Sequence, residues 1–366
     1  MMNQAKLKTL TPVHIGSGVE FQSNIEYLFD GEKIGIIDEK KVLEVIGEEN
    51  IDKWVNIIEQ RGDLLDYLKQ RKQDFSLHDI SRRVVSVMGN NIGRHKSLRE
   101  QLHNGRAQPM IPGSSIKGAI RTALLSRLVM QNQENIDSSL LKIYQNNRYK
   151  WSSKNLENRF LGDTRNDPFR FLHVSDAHFD PDTVALNMEI MNLFGKGWDI
   201  KQGGNQLTEM IWGEDETSMR IGLQEDLIQA NQTKDLLKFD YPWLKDIKLL
   251  LSEVNNHTGW LLEKEFDFWN EEEYEHEAVN EYIEILKEVQ NELSNCADNQ
   301  MVLRIGHGSG WHFITGGWAK YLENILSENE YEQLAGFVGK RGAPVFPKTR
   351  KMYEKGDLLG FVKITI

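Results

Sequence analysis

The sequence predicts an α+β fold in which strands from both ends of the chain pair in one sheet. Residues 6–13 and 358–366 have the apolar spacing of strands, and residues 226–295 between them follow a helical period. A hairpin is indicated at 25–36, where two short alternating runs flank Asp30-Gly31, because this dipeptide tolerates the positive φ angles of a tight turn. Strands at both ends with helices between them are typical of the α+β class.

Local periodicity predicts the remaining elements. Residues 39–73 and 115–131 have helical spacing. Residues 81–109 contain many glycines and asparagines, which predicts a loop or extended excursion and not a core element. Further strands are predicted at 169–174, 184–190, 219–223 and 301–305.

These elements divide the chain into three regions. Residues 1–225 form a core that carries a basic insertion at 81–109. Residues 226–300 form an acidic helical insertion, and residues 301–366 add a glycine loop and a closing strand that complete the core. The length of 366 residues is sufficient for one such core with large insertions.

Composition limits both the cellular setting and the chemistry. Cys296 is the single cysteine, so neither an internal disulfide nor a cysteine metal cluster is possible, which fits a reducing cytoplasm. The first residues lack the apolar centre of a signal peptide, and no run of about 18 apolar residues exists that could span a membrane. We therefore expect a cytoplasmic protein without a membrane partner.

The net charge of −11 conceals a separation of charge along the chain. Residues 251–300 contain 14 Asp or Glu and two lysines, whereas residues 81–127 contain nine Lys or Arg and one glutamate, and residues 339–355 contain six and one. Nucleic-acid binding depends on the local potential, so the two basic regions predict a surface for a polyanion. The acidic helices are either a solvated face or a docking surface for a basic protein.

A tight turn and the helix that follows it predict a phosphate site. Gly113 lets another backbone approach closely, and Ser114 or Ser115 can cap the helix start. Lys117 and Arg121 share a helical face next to the unpaired N–H groups of that start, which attract anions. An ordinary core helix is the alternative, because the same helix carries an apolar stripe.

Two Gly-Ser-Gly loops follow predicted strands at opposite ends of the chain. Their backbone amides can face a ligand and bind an anion, although plain turn chemistry would explain each loop alone. The second loop misses the dinucleotide pattern and the helix start misses the Walker pattern, so we expect no cofactor. The loop residues in question are Gly16, Ser17, Gly18, Gly306, Gly308, Ser309 and Gly310.

Histidines offer two further chemical hypotheses. His14 borders the first loop and could act as a general base in RNA cleavage, or donate a hydrogen bond to a phosphate. His173, Asp176 and His178 are a conceivable metal set, but on an extended chain His173 points away from the other two. We therefore expect no metal site.

Three motifs resemble those of the RAMP superfamily of CRISPR-associated RNA-binding proteins. They are residues 10–18 (LTPVHIGSG), 111–121 (IPGSSIKGAIR) and 304–311 (RIGHGSGW). The third motif, together with 346–350 (FPKTR) and 359–363 (LGFVK), narrows the resemblance to the family of fifth subunits of the type III-A effector, the Csm complex. The resemblance covers both ends of the chain, whereas residues 132–300 carry little that aligns.

The resemblance implies a ferredoxin-like, RRM-type antiparallel sheet core with large helical insertions. It also implies that the chain binds guide RNA (crRNA) near the 3′ end, caps the complex there, and supports guide maturation by positioning nucleases. The implied partners are the guide RNA, other subunits of the CRISPR ribonucleoprotein complex, and host nucleases. In the subunit that cleaves target RNA an aspartate follows the first strand. Residues 19–29 contain Glu20 and Glu26 but no aspartate, which argues against target cleavage.

We therefore expect a non-catalytic subunit that binds guide RNA through phosphate contacts, without regard to base sequence. Two other function classes stay open: a metal-independent endoribonuclease that uses His14, and a protein–protein scaffold that uses the acidic helices. The expected RNA-binding residues are His14, Gly16, Ser17, Gly18, Arg82, Arg83, Arg94, Ser114, Ser115, Lys117, Arg121, Gly306, Gly308, Ser309, Gly310, Arg341, Lys348 and Arg350.

Overall fold

A computed structural model gives the architecture of the chain. It describes residues 2–60, 62–89, 92, 96–145, 147–194, 197–201, 203–232, 237, 240–271, 277–314, 327, 329, 349–353 and 356–366. The strands are β1 (Met2–Thr9), β2 (Gly16–Gln22), β3 (Tyr27–Phe29), β4 (Lys33–Ile37), β5 (Ser81–Met88), β6 (Ser97–Gln101), β7 (Met110–Ile111), β8 (Lys142–Gln145), β9 (Arg148–Trp151), β10 (Leu172–Val174), β11 (Ala177–His178), β12 (Val184–Phe194), β13 (Gly197–Ile200), β14 (Gln206–Met210), β15 (Glu216–Leu223), β16 (Gln300–Arg304), β17 (Thr349–Tyr353) and β18 (Phe361–Thr365). The helices are α1 (Glu39–Ile46), α2 (Ile51–Glu59), α3 (Leu64–Arg71), α4 (Gly113–Gln131), α5 (Lys154–Leu161), α6 (Glu225–Gln232), α7 (Ile247–Glu271), α8 (Glu277–Ser294) and α9 (Trp311–Ile314).

The first sheet joins strands from both ends of the chain. Its spatial order is β10-β15-β1-β18-β16, and every pair in it is antiparallel. Leu7 of β1 lies opposite Ile364 of β18, and both side chains are fully buried. The predicted α+β class and the predicted pairing of the chain ends are confirmed.

The second sheet is larger and mixed. Its main path is β2-β6-β14-β12-β5-β4-β3, with β13 and β17 also paired to β12. The pairs β12–β5 and β14–β6 are parallel. At one edge Tyr27 of β3 lies opposite Ile36 of β4, and Gly31 between these strands has φ +110°. The predicted hairpin is confirmed.

The loop predicted over 81–109 was wrong. β5 lies inside the second sheet, between β12 and β4, and β6 lies between β2 and β14. Val85 and Leu98 are fully buried, while polar and charged residues occupy neighbouring positions of the same strands. The glycines and asparagines that suggested a loop lie outside these two strands in the sequence, so they did not report on the strands themselves.

The acidic helical region is part of the main core. α7 lies against both β16 and α4, and its residues Leu250, Leu251 and Val254 share one buried cluster with Ile116 and Ile120 of α4. The helices of this acidic region therefore carry an apolar face, and that face covers apolar residues of the first sheet and α4. Across the described part of the chain, no helix combines the length and apolar character needed to cross a bilayer.

Candidate functional site

The two glycine loops, which are far apart in sequence, lie side by side. The His307 N–H donates a hydrogen bond to the His14 carbonyl oxygen at 2.8 Å. Gly306 has φ +79°, and a Cβ placed on it would lie 2.5 Å from the same oxygen, so both the backbone conformation and the contact require glycine. We call residues 14–18 and 306–310 together the glycine-loop junction.

The serines of the junction are held by contacts within the chain. The first Gly-Ser-Gly is not a free loop, because β2 begins at Gly16 and pairs there with Gln101. The Ser17 hydroxyl donates to Glu100 Oε2 at 2.8 Å, and the Ser309 hydroxyl donates to the Gly306 carbonyl oxygen. The hydroxyl groups of these two serines therefore stabilise the conformation of the junction.

His14 is fixed in one tautomer. Its side chain is buried, and Nδ1 lies 2.7 Å from the Glu209 carbonyl oxygen. A carbonyl only accepts, so Nδ1 carries the proton and Nε2 is left as an acceptor. Burial lowers the pKa of His14, which keeps the ring neutral near pH 7. The ring stands edge-on to that of His307, with centroids 5.9 Å apart.

Two cationic side chains lie next to the His307 ring at the junction. Its Nε2 lies 2.9 Å from Lys351 Nζ and 3.2 Å from Arg99 Nη1. Burial, reinforced by the charges of Lys351, His14 and Arg99, lowers the pKa of His307 to about 4. The single lone pair on Nε2 of the neutral ring is therefore shared between the two cations, and the ring keeps them close together without cancelling their charge.

The charge of this pair is only partly balanced. Arg99 Nε donates to Glu20 Oε1 at 2.9 Å, but among the described residues no carboxylate lies within 4 Å of Lys351 Nζ. Burial and the nearby Arg99 guanidinium both lower the pKa of Lys351. An anion bound here would relieve that repulsion and restore the lost solvation of the ammonium group.

The two arginines of β5, Arg82 and Arg83, have different surroundings. Arg83 donates to the buried carboxylate of Glu209 at 2.8 Å and to Glu100 at 3.0 Å, and Glu209 also accepts from Thr183. Arg83 is therefore part of an internal network, unlike the RNA-binding residue that the sequence predicted. The side chain of Arg82 remains about half exposed, and its guanidinium lies over the Phe21 ring at 5.0 Å.

The start of α4 does not have the predicted cap. Pro112 holds the N-cap position without a side-chain hydrogen bond, which places Ser114 and Ser115 inside the first turn. The Gly113 N–H donates to Asp176 Oδ1 at 2.8 Å, so a carboxylate of the chain itself occupies the anion position at this helix start. A Cβ on Gly113 would lie 2.2 Å from the Val174 carbonyl oxygen, which confirms the predicted close backbone approach.

The two cations of α4 are also engaged within the chain. Lys117 Nζ donates to the Leu172 carbonyl oxygen at 2.8 Å, and burial lowers the pKa of this lysine. Arg121 forms ion pairs with Asp167 at 2.7 Å and with Glu157 at 3.5 Å. The predicted phosphate site is thus already satisfied by internal partners.

Arg350 is buried in the core and not exposed on a basic surface. Its guanidinium forms a two-pronged ion pair with Glu265 of α7, a carboxylate that also accepts from Tyr282 and Trp269. Burial alone would raise the pKa of Glu265, but the Arg350 charge outweighs it and lowers that pKa to about 2. The predicted RNA-binding role of Arg350 is corrected accordingly, because its side chain is buried. The predicted residues Arg94, Arg341 and Lys348 lie outside the described residues.

A comparison with protein-family models identifies the superfamily. The model of the RAMP superfamily matches residues 6–313, which include both glycine loops and the start of α4. The chain belongs to the RAMP superfamily. The resemblance drawn from the three motifs is confirmed.

Curated relatives of this RAMP chain are named Csm5. The CRISPR system Cms protein Csm5 of Methanocaldococcus jannaschii is 25% identical, with 99% of this chain and 88% of that protein covered. Csm5 of Streptococcus thermophilus is 26% identical over 49% of this chain and 53% of that protein. Csm5 of Enterococcus italicus is 31% identical over 33% of this chain and 42% of that protein.

Solved structures share the fold of this RAMP chain. One chain of a cryo-EM structure of a Csm–crRNA–target RNA ternary complex from a type III-A CRISPR-Cas system matches with a TM-score of 0.72 at 18% identity, with both chains covered completely. The crystal structure of T. onnurineus Csm5 matches with a TM-score of 0.65 at 18% identity, covering 98% of this chain and 99% of that one.

Sequence reasoning found the glycine loops of this RAMP but missed the cations beside them. In the sequence, Arg99 and Lys351 contribute only to the positive charge of their regions, because no local pattern distinguishes them from the neighbouring basic residues. Lys351 follows the buried Arg350 directly on β17, and strand alternation could have separated the two had β17 been recognised. Arg99 likewise follows a buried residue, Leu98, directly on β6.

Proposed function

We propose that this RAMP chain is the Csm5-type subunit of a type III-A CRISPR effector and binds guide RNA without cleaving it. The observation that carries the proposal is the glycine-loop junction, where Arg99 and Lys351 meet beside exposed glycine backbone. Curated relatives of the chain bear the name Csm5, and a structural neighbour belongs to a Csm–crRNA–target RNA complex. Both support this assignment.

The chemistry of the junction suits a phosphodiester. Lys351 Nζ and the guanidinium of Arg99 would donate to phosphate oxygens, and the charge-assisted bonds would replace the weaker contacts with His307. Gly16, Gly18 and Gly310 are exposed, so the junction offers backbone without side chains at these three positions, whereas Gly308 and Ser309 are buried. Contacts of this kind read the backbone of RNA and not its bases, which predicts binding without sequence preference.

The order of elements in the first sheet supports a ferredoxin-like unit. β1, α4, β10 and β15, followed by α7, α8 and β18, reproduce a βαββαβ sequence, and their strands lie in the order β10-β15-β1-β18. β16 is then an addition at the edge. In this interpretation α7 of the acidic region packs beside α4 as the second helix of the RAMP core, and residues 1–225 and 301–366 supply the other elements of that core.

We further propose that the chain caps the 3′ end of the guide and positions nucleases that trim it. A photo-crosslinking amino acid at Val19, an exposed β2 residue next to the first glycine loop, tests the capping in the assembled effector. We expect crosslinks to the 3′ region of the guide. Crosslinks to the 5′ region would contradict the capping proposal while leaving RNA binding intact.

The direct test of RNA binding is the double variant Arg99→Ala/Lys351→Ala. We expect the parent chain to retain a labelled single-stranded RNA in a filter-binding assay, to bind unrelated sequences equally, and to leave the RNA intact. The variant should lose most of this binding. Unchanged binding by the variant would contradict the proposed site.

The pair of histidines keeps an endoribonuclease as the second candidate. His14 and His307 stand 5.9 Å apart between ring centroids, with Lys351 beside them, and two histidines can act as acid and base in RNA cleavage. However, the lowered pKa of both rings leaves neither protonated near pH 7 to act as the acid. RNA cleavage by the parent that is lost in His14→Gln would favour this enzyme over the binding subunit.

A further inference from the structure

A cavity of about 410 Å³ opens between α8 and the loops that follow β1, β14 and β17. This size is within the range of ligand pockets, about 300–1,000 Å³. Leu10 and Leu358 form part of its apolar lining, and Ile285 and Val289 of α8 form the opposite wall. The cavity shares no lining residue with the glycine-loop junction.

Two aromatic rings stand in one wall of the cavity. Trp212 and Tyr353 are half-buried, and their rings meet edge-on with centroids 6.2 Å apart. An arginine side chain is attracted to the faces of such rings while its stem covers apolar surface. The wall therefore favours a cation attached to a hydrocarbon stem over a small hydrated ion.

Four carboxylates complete the lining. Glu214 is paired with Lys8 at 2.5 Å and Glu292 with Lys363 at 3.0 Å, whereas Glu288 is exposed and has no ion-pair partner among the described residues. The fourth, Asp357, lies beside the aromatic wall, and no described lining residue is a lysine or arginine. The potential in the cavity is therefore negative, which excludes an RNA backbone as its occupant.

We propose that this cavity binds an arginine of a partner protein, carried on an apolar segment. The guanidinium would stack on Trp212 or Tyr353 and pair with Glu288, and the flanking apolar residues would cover Ile285 and Val289. Arginine fits better than lysine, because its planar group stacks on rings and bonds a carboxylate through two N–H groups at once. The proposal gives the acidic helices a docking role that does not depend on RNA binding.

The test uses the full chain labelled with 5-fluorotryptophan and observed by ¹⁹F NMR. The Trp212 signal is assigned from the variant Trp212→Phe. The probe is a capped pentapeptide with a central arginine between two leucines and glycine at each end, and the comparison probe carries glutamate in place of arginine. We expect the arginine peptide alone to shift the Trp212 signal in a saturable manner.

Glu288→Lys should weaken binding of the arginine peptide by about three- to tenfold, because it replaces an attraction with a repulsion at a partly exposed site. Glu263→Lys is the matched control: it makes the same change at an exposed glutamate of α7 that does not line the cavity, and should alter binding by less than twofold. Both variants are checked for an unchanged urea midpoint.

Three outcomes would overturn the proposal. The first is equal binding of the arginine and glutamate peptides, and the second is equal weakening by Glu288→Lys and Glu263→Lys. The third is a shift of the Trp212 signal by single-stranded RNA in the absence of peptide, since that would assign the cavity to the RNA surface.

Discussion

The glycine-loop junction and the start of α4 both combine a glycine turn with two cations, but they differ in what those cations contact. At the start of α4, Arg121 is paired with carboxylates and Lys117 with a carbonyl oxygen. At the junction, Lys351 and Arg99 are held by the neutral ring of His307. The start of α4 thus satisfies its cations within the chain, whereas at the junction Arg99 has only the partly exposed Glu20, and Lys351 has no carboxylate partner among the described residues.

The same lesson applies along one strand. Arg350 and Lys351 are adjacent on β17 and were equivalent as charges in the sequence. Arg350 faces Glu265 in the core, whereas Lys351 faces His307 at the junction. Strand alternation thus places one cation in the core and the other at the proposed binding site.

The largest expected effect is on stability and concerns Arg350, whose charge is already paired with Glu265. Arg350→Met leaves the Glu265 carboxylate buried without its partner, which should lower the free energy of unfolding by about 3–5 kcal/mol. Urea denaturation measures this loss. RNA affinity of the folded fraction should stay within twofold, and a large loss of affinity would place Arg350 in the binding surface after all. The double variant Arg350→Met/Glu265→Gln should recover part of the lost stability.

The next effect concerns the cations of the junction. Arg99→Ala/Lys351→Ala should weaken RNA binding by roughly 100-fold at low salt, since each charged hydrogen bond contributes about 1.5 kcal/mol. The slope of log affinity against log salt should fall by about 1.4, which corresponds to two lost contacts with a single strand. Affinity measured across a potassium chloride series provides both values. An unchanged slope would show that neither cation contacts phosphate.

The junction should also contribute to the pH dependence of stability. The folded-state pKa of His307 is about 4, below its ordinary 6.5, so the unfolded chain takes up this proton first as the pH falls. The free energy of unfolding should therefore decrease between about pH 6.5 and 4, and His307→Gln should make that decrease shallower. His257, whose pKa burial also lowers to about 4, accounts for part of the remaining slope. Identical slopes in parent and variant would contradict the neutral, cation-holding state of His307.

The smallest effect is expected at the start of α4. Lys117→Met/Arg121→Gln should change RNA affinity by less than about twofold and leave the salt slope unchanged, because both cations already have partners in the chain. The ion pairs of Arg121 are partly exposed, so their loss should cost only about 1 kcal/mol of stability. A reduced salt slope in this variant would instead support the sequence-based phosphate site.

Local patterns were sufficient for the elements that depend on local chemistry. The Asp30-Gly31 hairpin, the alternation of β12 and the apolar ends of the chain each follow from neighbouring residues, and the structure contains all three. β5 and β6 were missed because their arginines and flanking glycines resemble an exposed loop. Their strand character depends on burial against β12, β4 and β14, which lie elsewhere in the chain.

The candidate site was predictable only as far as its glycines. Two similar loops after strands indicated a shared role, and the bond between His307 and His14 brings them together. The partner of each cation, in contrast, depends on contacts over long sequence separations, such as Arg83 with Glu209 and Arg350 with Glu265. The local sequence pattern around each arginine does not reveal such a distant partner. The charge of a region therefore overestimated how many of its cations are available to bind RNA.

The position of β18 between β1 and β16 has a consequence for biosynthesis. Lys6 pairs with Thr365, so β1 lacks one of its neighbours until residue 365 has been translated and has left the ribosome. A nascent chain can form its hairpins and α4 early, but its first sheet stays incomplete until β18 has emerged. A chain arrested before β18 should consequently lack the frame that holds the proposed RNA-binding site together.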